Sequence, residues 1–194
     1  MRYVLYLYAA FNDCNVLNLL LLIMNLLDEI RREHSKTQCD KIVDWVGHSQ
    51  KKFDELFKLY LNGEGNVDQR ASWPLSYCVE KHPELFNNKI PALIKKLQSP
   101  KIHPAILRNG LRILQFAPIP HEVQGLVMDY CFTVVEKPKI DIAPKVYALY
   151  TLSHLAKEYP EIIGEINVLI ESQRPFQTAA FTAAAKKVYK TLKM

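Results

Sequence analysis

From Ser35 onward, apolar residues recur three and four positions apart, and each run closes on a short polar, glycine- or proline-bearing break. Leu107, Leu111 and Leu114 make one such stripe, and Leu149, Leu152 and Ala156 make another. The spacing is that of one face of an α-helix, so each run predicts an amphipathic helix that cannot bury its apolar side alone. Gly63-Glu64-Gly65 predicts a break between two helices. Pro83-Glu84 and Pro160-Glu161 are expected to open second helices, because proline suits the first helical position and a carboxylate suits the positive end of the helix dipole.

The breaks are periodic. Shifting the chain by 77 residues brings Ala71 onto Ala148, Trp73 onto Tyr150, Leu75 onto Leu152, Cys78 onto Leu155, Val79 onto Ala156, Pro83 onto Pro160 and Glu84 onto Glu161. Half that shift lands on Arg108, Leu111, Ile113, Phe116 and Ala117, so a third copy lies between the two. A period of roughly 40 residues with two helices per unit marks a solenoid. The predicted units are residues 35–62, 66–98, 102–137 and 140–172, with 175–193 as a closing helix and Met24 to Glu33 as part of an opening cap. Pro74, inside a first helix, predicts a local kink.

The segment VDQRASWPLS, residues 67–76, resembles the Asp/Arg-Ala-Ala pattern in the first helix of a HEAT repeat, and Arg108 takes the matching place one unit on. In the third copy Lys145 or Tyr147 stands near that arginine position. The resemblance implies an all-α fold, a right-handed α-α superhelix of the HEAT/armadillo kind with about four helix pairs plus a closing helix. It also implies that second helices line the concave, ligand-facing side. It says little about the ligand, since helical repeats share packing while their partners differ.

Residues 1–23 differ in style from the rest. The apolar run at residues 16–27 is too short for the roughly 20 residues that cross a bilayer, and it is interrupted by two asparagines. As a secretion signal it lacks a strong positive flank and a small-residue cleavage site. The expectation is that Met24 is the natural start, residues 1–23 come from an overlong gene model, and 24–194 form a single repeat domain outside any membrane.

Bulk composition refines the picture in two places. An apolar share of 49% excludes wholesale disorder, and six glycines with eleven prolines suit helices joined by short loops. Cys14, Cys39, Cys78 and Cys131 are far apart, which predicts reduced thiols and a cytoplasmic location. The net charge of +5 is modest, yet its distribution is uneven. On the second helices, Lys51, Lys52, Lys58, Lys89, Lys95 and Lys96 outweigh the acids of the first two units. Glu122, Asp129 and Glu165 make the later two acidic. A surface basic at one end and acidic at the other suits a protein or peptide better than a phosphate backbone, which needs positive charge along its whole track. These nine residues are the candidate partner-binding set.

The rival expectation is nucleic acid. HEAT-like DNA alkylation repair proteins bear a distant likeness to this chain and place tryptophan, aspartate and arginine in a groove. The corresponding candidates are Arg70, Arg108 and Arg112, with Trp45 and Trp73 nearby and the C-terminal Lys186, Lys187 and Lys190 for phosphates. Packing explains both tryptophans better, since Trp73 takes a repeat position matched by Tyr150 and Leu111 and Trp45 fits an apolar stripe with Ile42, and no convincing carboxylate sits beside them. Neither catalytic residues nor a cofactor is expected. The six histidines form no helical HxxxH or HExxH pair, which predicts no helix-borne metal site, and no glycine-rich phosphate loop is present. His154 beside Ser153 does not make a nucleophile and base, because helix neighbours point about 100° apart. The balance of these features predicts a non-enzymatic scaffold or adaptor.

Overall fold

The computed structural model describes residues 25–176 and 178–193. The expectation about residues 1–23, and Cys14 with it, falls outside them. Among the described residues every regular element is helical: α1 (Leu26–Arg32), α2 (Lys36–Val46), α3 (Gln50–Asn62), α4 (Val67–Lys81), α5 (Ile90–Leu97), α6 (Pro104–Leu114), α7 (His121–Glu136), α8 (Ile142–Leu155), α9 (Ile163–Gln173) and α10 (Ala179–Leu192).

Local chemistry sets several boundaries. Asn25, Ser35 and Ser49 each accept a hydrogen bond from a backbone amide in the first turn of α1, α2 and α3. His103 does the same for α6 through Nδ1. These contacts satisfy amides that have no intrahelical partner. The prolines at 83 and 160 do not open α-helices directly. Each starts a short 3-10 turn, Pro83–Phe86 or Pro160–Ile162, that precedes the second helix. After the first of these turns Asn88 takes a left-handed conformation at φ 59°, which asparagine tolerates well, and the chain then enters α5. α4 passes through Pro74 as a single helix.

Two layers result. α2, α4, α6, α8 and α10 pack side by side in one, and α3, α5, α7 and α9 in the other. α1 lies across the start, touching α2, α3 and α4. Apart from this cap, every substantial contact joins elements of the same unit or of adjacent units. The aligned residues share their burial as well as their type: Ala71 and Ala148, Leu75 and Leu152 are all fully covered. The alignment fails at Phe116, which is 36% exposed where Cys78 is 0%, because α6 has already ended at Leu114.

Hydrogen bonds report the period independently. Gln50 donates to the Leu85 carbonyl 35 residues on, and Lys96 reaches back 35 to that of Leu61. Asn109 donates to Ser72 Oγ, Arg112 to Ser76 Oγ, and Tyr130 to the Leu97 carbonyl, across 37, 36 and 33 residues. Gln124 donates to Glu158 across 34 residues. Polar atoms buried between helices need partners, and here each unit supplies them to the next, which sets the register of the stack.

Gly63 is the tightest joint. Its amide caps α3 by donating to the Leu59 carbonyl at 2.8 Å. An added Cβ would stand 2.5 Å from the Leu59 oxygen, 2.7 Å from Val67 Cγ1 and 2.8 Å from the Asp68 nitrogen. Two of these three atoms are backbone and cannot rotate away. Gly63→Ala is therefore expected to destabilise the fold by about 1–3 kcal/mol, the usual cost of overpacking. A urea midpoint equal to or above wild type would show that the joint relaxes instead.

Candidate partner-binding surface

The second-helix layer carries the charges singled out in the sequence, and the structure divides them into two groups. In the basic half, Lys52 donates to the Trp45 carbonyl at 2.9 Å while its ammonium lies 4.8 Å from the centre of the Trp45 ring. Lys89 pairs with Asp54 at 2.8 Å and sits above the rings of Phe53 and Phe57. Lys96 is largely covered and holds Asp68 at 2.8 Å together with the Leu61 carbonyl. These three lysines are internal fasteners. Lys51, Lys58 and Lys95 are exposed and have no partner among the described residues.

In the acidic half, Glu122, Asp129 and Glu165 are exposed and likewise have no partner among the described residues. Two features there were not singled out from the sequence. Leu126 on α7 is 40% exposed and Val168 on α9 is 69% exposed, each on the same stripe as the acids. Four-residue spacing puts Glu122 beside Leu126 and three more reaches Asp129; on α9, Glu165 is followed by Val168 at the same helical step. Gly125, in the interior of α7, has nothing within 4 Å of where a Cβ would stand. An exposed leucine inside an otherwise amphipathic stripe was the available signal, but a single apolar residue on a surface is ordinary.

The residues proposed for nucleic acid lie on the other layer. Arg70 donates to the carbonyl of Arg31 at 2.8 Å, which anchors α4 to the cap. Arg112 binds Glu80 and Ser76 and stacks 4.3 Å from the Tyr77 ring centre. Both guanidinium forks are thus engaged inside the chain, whereas Arg108 is exposed. Lys187 lies over the Tyr150 ring at 4.7 Å, and Lys186 and Lys190 face outward from α10. Trp73 is half-buried with its ring edge-on to His34, centroids 5.2 Å apart, beside a shallow surface dip that Arg70, Cys39 and Gln38 also line. Trp45 is buried on α2.

Chemistry elsewhere is muted. Cys39, Cys78 and Cys131 are buried free thiols; burial pushes the first two up to about 12 and the third higher still, so none is a ready nucleophile. Ser153 Oγ donates to the Tyr150 carbonyl at 2.8 Å within its own helix. Lys145 is fully covered and donates to Gln173 at 2.9 Å, and burial holds its pKa below the ordinary lysine value. Arg70 ties its helix to the cap, whereas Lys145 ties α8 to α9 within one unit. Spacing along single helices does not register one further cluster: two loops bring His48, His82 and Glu84 together.

No helix among the described residues is long and apolar enough to cross a membrane. Searches of curated proteins and of solved structures return no match to this chain. A HEAT repeat domain model matches residues 26–192, which take in all ten helices and both layers. The helix pairs, the periodic hydrogen bonds and this match agree: the chain belongs to the HEAT repeat family, a family of helical repeat scaffolds.

Proposed function

We propose that the chain is a non-enzymatic adaptor that holds an extended segment of another protein along its second-helix layer. The segment lays acidic side chains over α3 and α5, and basic and apolar ones over α7 and α9. One observation carries this reading: among the exposed charges left without internal partners, lysines outnumber acids on α3 and α5, where Lys51, Lys58 and Lys95 stand against Glu55, while those on α7 and α9 are all acidic, and the acidic part also exposes Leu126 and Val168. Unpaired rim charges of this kind steer encounter and orient a ligand, while exposed apolar side chains supply contact area. The buried, unbridged thiols support a reducing, cytoplasmic setting.

Gly125 supports the same surface. A glycine in an exposed helix interior costs roughly 1 kcal/mol against alanine, and here no neighbour requires it. It leaves α7 bare where a partner backbone could approach. Gly125→Ala is therefore expected to stabilise the isolated protein by up to about 1 kcal/mol while weakening the complex.

The test uses fluorescence anisotropy with two labelled peptides of equal length, one lysine- and leucine-rich, the other glutamate- and leucine-rich. The lysine peptide should lose affinity at least about tenfold on Glu122→Lys/Asp129→Lys/Glu165→Lys, and the glutamate peptide on Lys51→Glu/Lys58→Glu/Lys95→Glu, both losses shrinking with added salt. Equal binding of both peptides to all three proteins would reject the proposal. Tight binding of duplex DNA, with a steep salt dependence lost on Arg108→Glu, would favour the nucleic-acid alternative.

A further inference from the structure

At one edge of the stack, the loop between α2 and α3 meets the turn that follows α4. His48 comes from the first, His82 and Glu84 from the second, and one ligand atom from each lies within 4.8 Å of the others. His48 Nδ1 is 3.9 Å and His82 Nδ1 3.6 Å from Glu84 Oε1, and the two imidazole rings stand 4.0 Å apart, centre to centre. We propose that these three side chains bind a divalent transition-metal ion of the zinc type, clipping the first unit to the second.

The geometry is close to what such an ion needs. Nitrogen and oxygen ligands about 2.0–2.1 Å from a tetrahedral centre stand about 3.4 Å from one another. The two histidine-to-carboxylate separations exceed that by a few tenths of an ångström, and the pair of histidines, within 4.8 Å of each other, has to draw closer through His48. His48 and Glu84 have the freedom to close the gap, with side chains 83% and 58% exposed, while His82 at 18% is the fixed point. Two imidazoles and one carboxylate are a donor set that suits zinc, copper or nickel better than magnesium or calcium, which take oxygen ligands. With three protein ligands, the fourth position faces solvent.

The backbone beneath the three ligands is already held. The amide of Gly47 caps α2 on the Val43 carbonyl, and Ser49 caps α3, so His48 sits between two fixed points. The amide of His82 donates to the Cys78 carbonyl at 2.8 Å. Glu84 belongs to a turn anchored by buried Leu85 and Phe86, and Gln50 from α3 donates to the Leu85 carbonyl across the two loops. Such support lowers the entropy lost when ligands are gathered around an ion.

The solenoid contains its own comparison. Between the third and fourth units, His121 and Tyr159 approach in a similar way, rings 6.4 Å apart, with Glu161 two residues beyond Tyr159. There the Tyr159 hydroxyl donates to Gln124 instead. Contact between successive turns therefore recurs at the third junction, and the second histidine is particular to the first.

Isothermal titration of the full chain with Zn²⁺, and with Mg²⁺ as a hard-ion control, tests the assignment. The expected result is one Zn²⁺ bound per chain, with affinity falling at least about tenfold in His48→Ala and in Glu84→Gln, the low end of what ligand-supporting residues alone contribute. His121→Ala should leave the isotherm unchanged. His48 is exposed enough that its removal leaves the fold intact, which circular dichroism checks directly. Co²⁺ should show the intense visible bands of a tetrahedral site in wild type and lose them in His48→Ala. Absent Zn²⁺ binding, binding that His48→Ala and Glu84→Gln leave untouched, or equal loss in His121→Ala would each overturn the proposal, leaving only a contact between the histidines and Glu84.

Discussion

Phe86→Ala is expected to cost about 3–5 kcal/mol, the usual range for removing a fully buried aromatic ring. The ring has no exposed surface and stands edge-on to Phe53 and Phe57, with centroids 6.3 and 5.7 Å away. Those two residues belong to α3, so Phe86 fastens the turn of the second unit onto the first, and edge-on aromatic pairs add to the burial itself. A loss of this size lowers the melting temperature by roughly 6–20 °C in a domain this large. Phe176→Ala is the matched control: its ring is 86% exposed, and its removal should change stability by less than about 0.5 kcal/mol. Similar shifts for the two variants in thermal melts would mean that Phe86 is not the fastener described.

Removing residues 174–194 should have the second large effect, on solubility as well as stability. α10 covers α8 with buried Phe181, Ala184, Ala185 and Val188, and the Tyr189 hydroxyl donates to Glu171 on α9 at 2.7 Å. A solenoid has no second core to compensate for a missing terminal helix. Burying one Phe and one Val contributes roughly 1.5–3 kcal/mol each, so the truncation removes several kcal/mol from a total that is commonly about 5–15. The uncovered face of α8 becomes an exposed apolar strip, which favours self-association. Light scattering after size exclusion should show oligomers or aggregates of the shortened chain. A monomer melting at the wild-type temperature would show that α10 is no cap.

The fold was legible because its logic is repeated. Ala71 and Ala148, or Leu75 and Leu152, meet the same surroundings in different units, so each copy corroborates the others. The four units, the opening cap and the closing helix follow the boundaries that the breaks in the sequence imply. The 3-10 turns at Pro83 and Pro160 were not visible, since proline and glutamate suit the start of either kind of helix. Phe116 slipped out of register for a similar reason, the exact end of a helix being set by local contacts rather than by period.

The surface was less legible than the core. A lysine on a second helix looks the same in sequence whether its ammonium fastens two units, as Lys96 does, or faces water, as Lys95 does. Only the three-dimensional position of Asp68 and of the Leu61 carbonyl separates them. The arginines behave alike: Arg70 and Arg112 answer the need of neighbouring helices for donors, a need that sequence spacing does not display. The His48, His82 and Glu84 cluster stayed hidden because its members lie on different units, and a search along one helix does not find ligands that two loops contribute.

The claim beneath all of this is an open row in which each helix pair touches only its neighbours. Zero-length carbodiimide cross-linking followed by mass spectrometry tests it most directly, because the reagent joins only lysines and carboxylates already in contact. The row predicts links such as Lys81 to Asp44, Lys89 to Asp54 and Lys96 to Asp68, and none joining α2 or α3 to α8 or α9. Abundant intramolecular links between the first and last units would mean a closed bundle and would contradict the account.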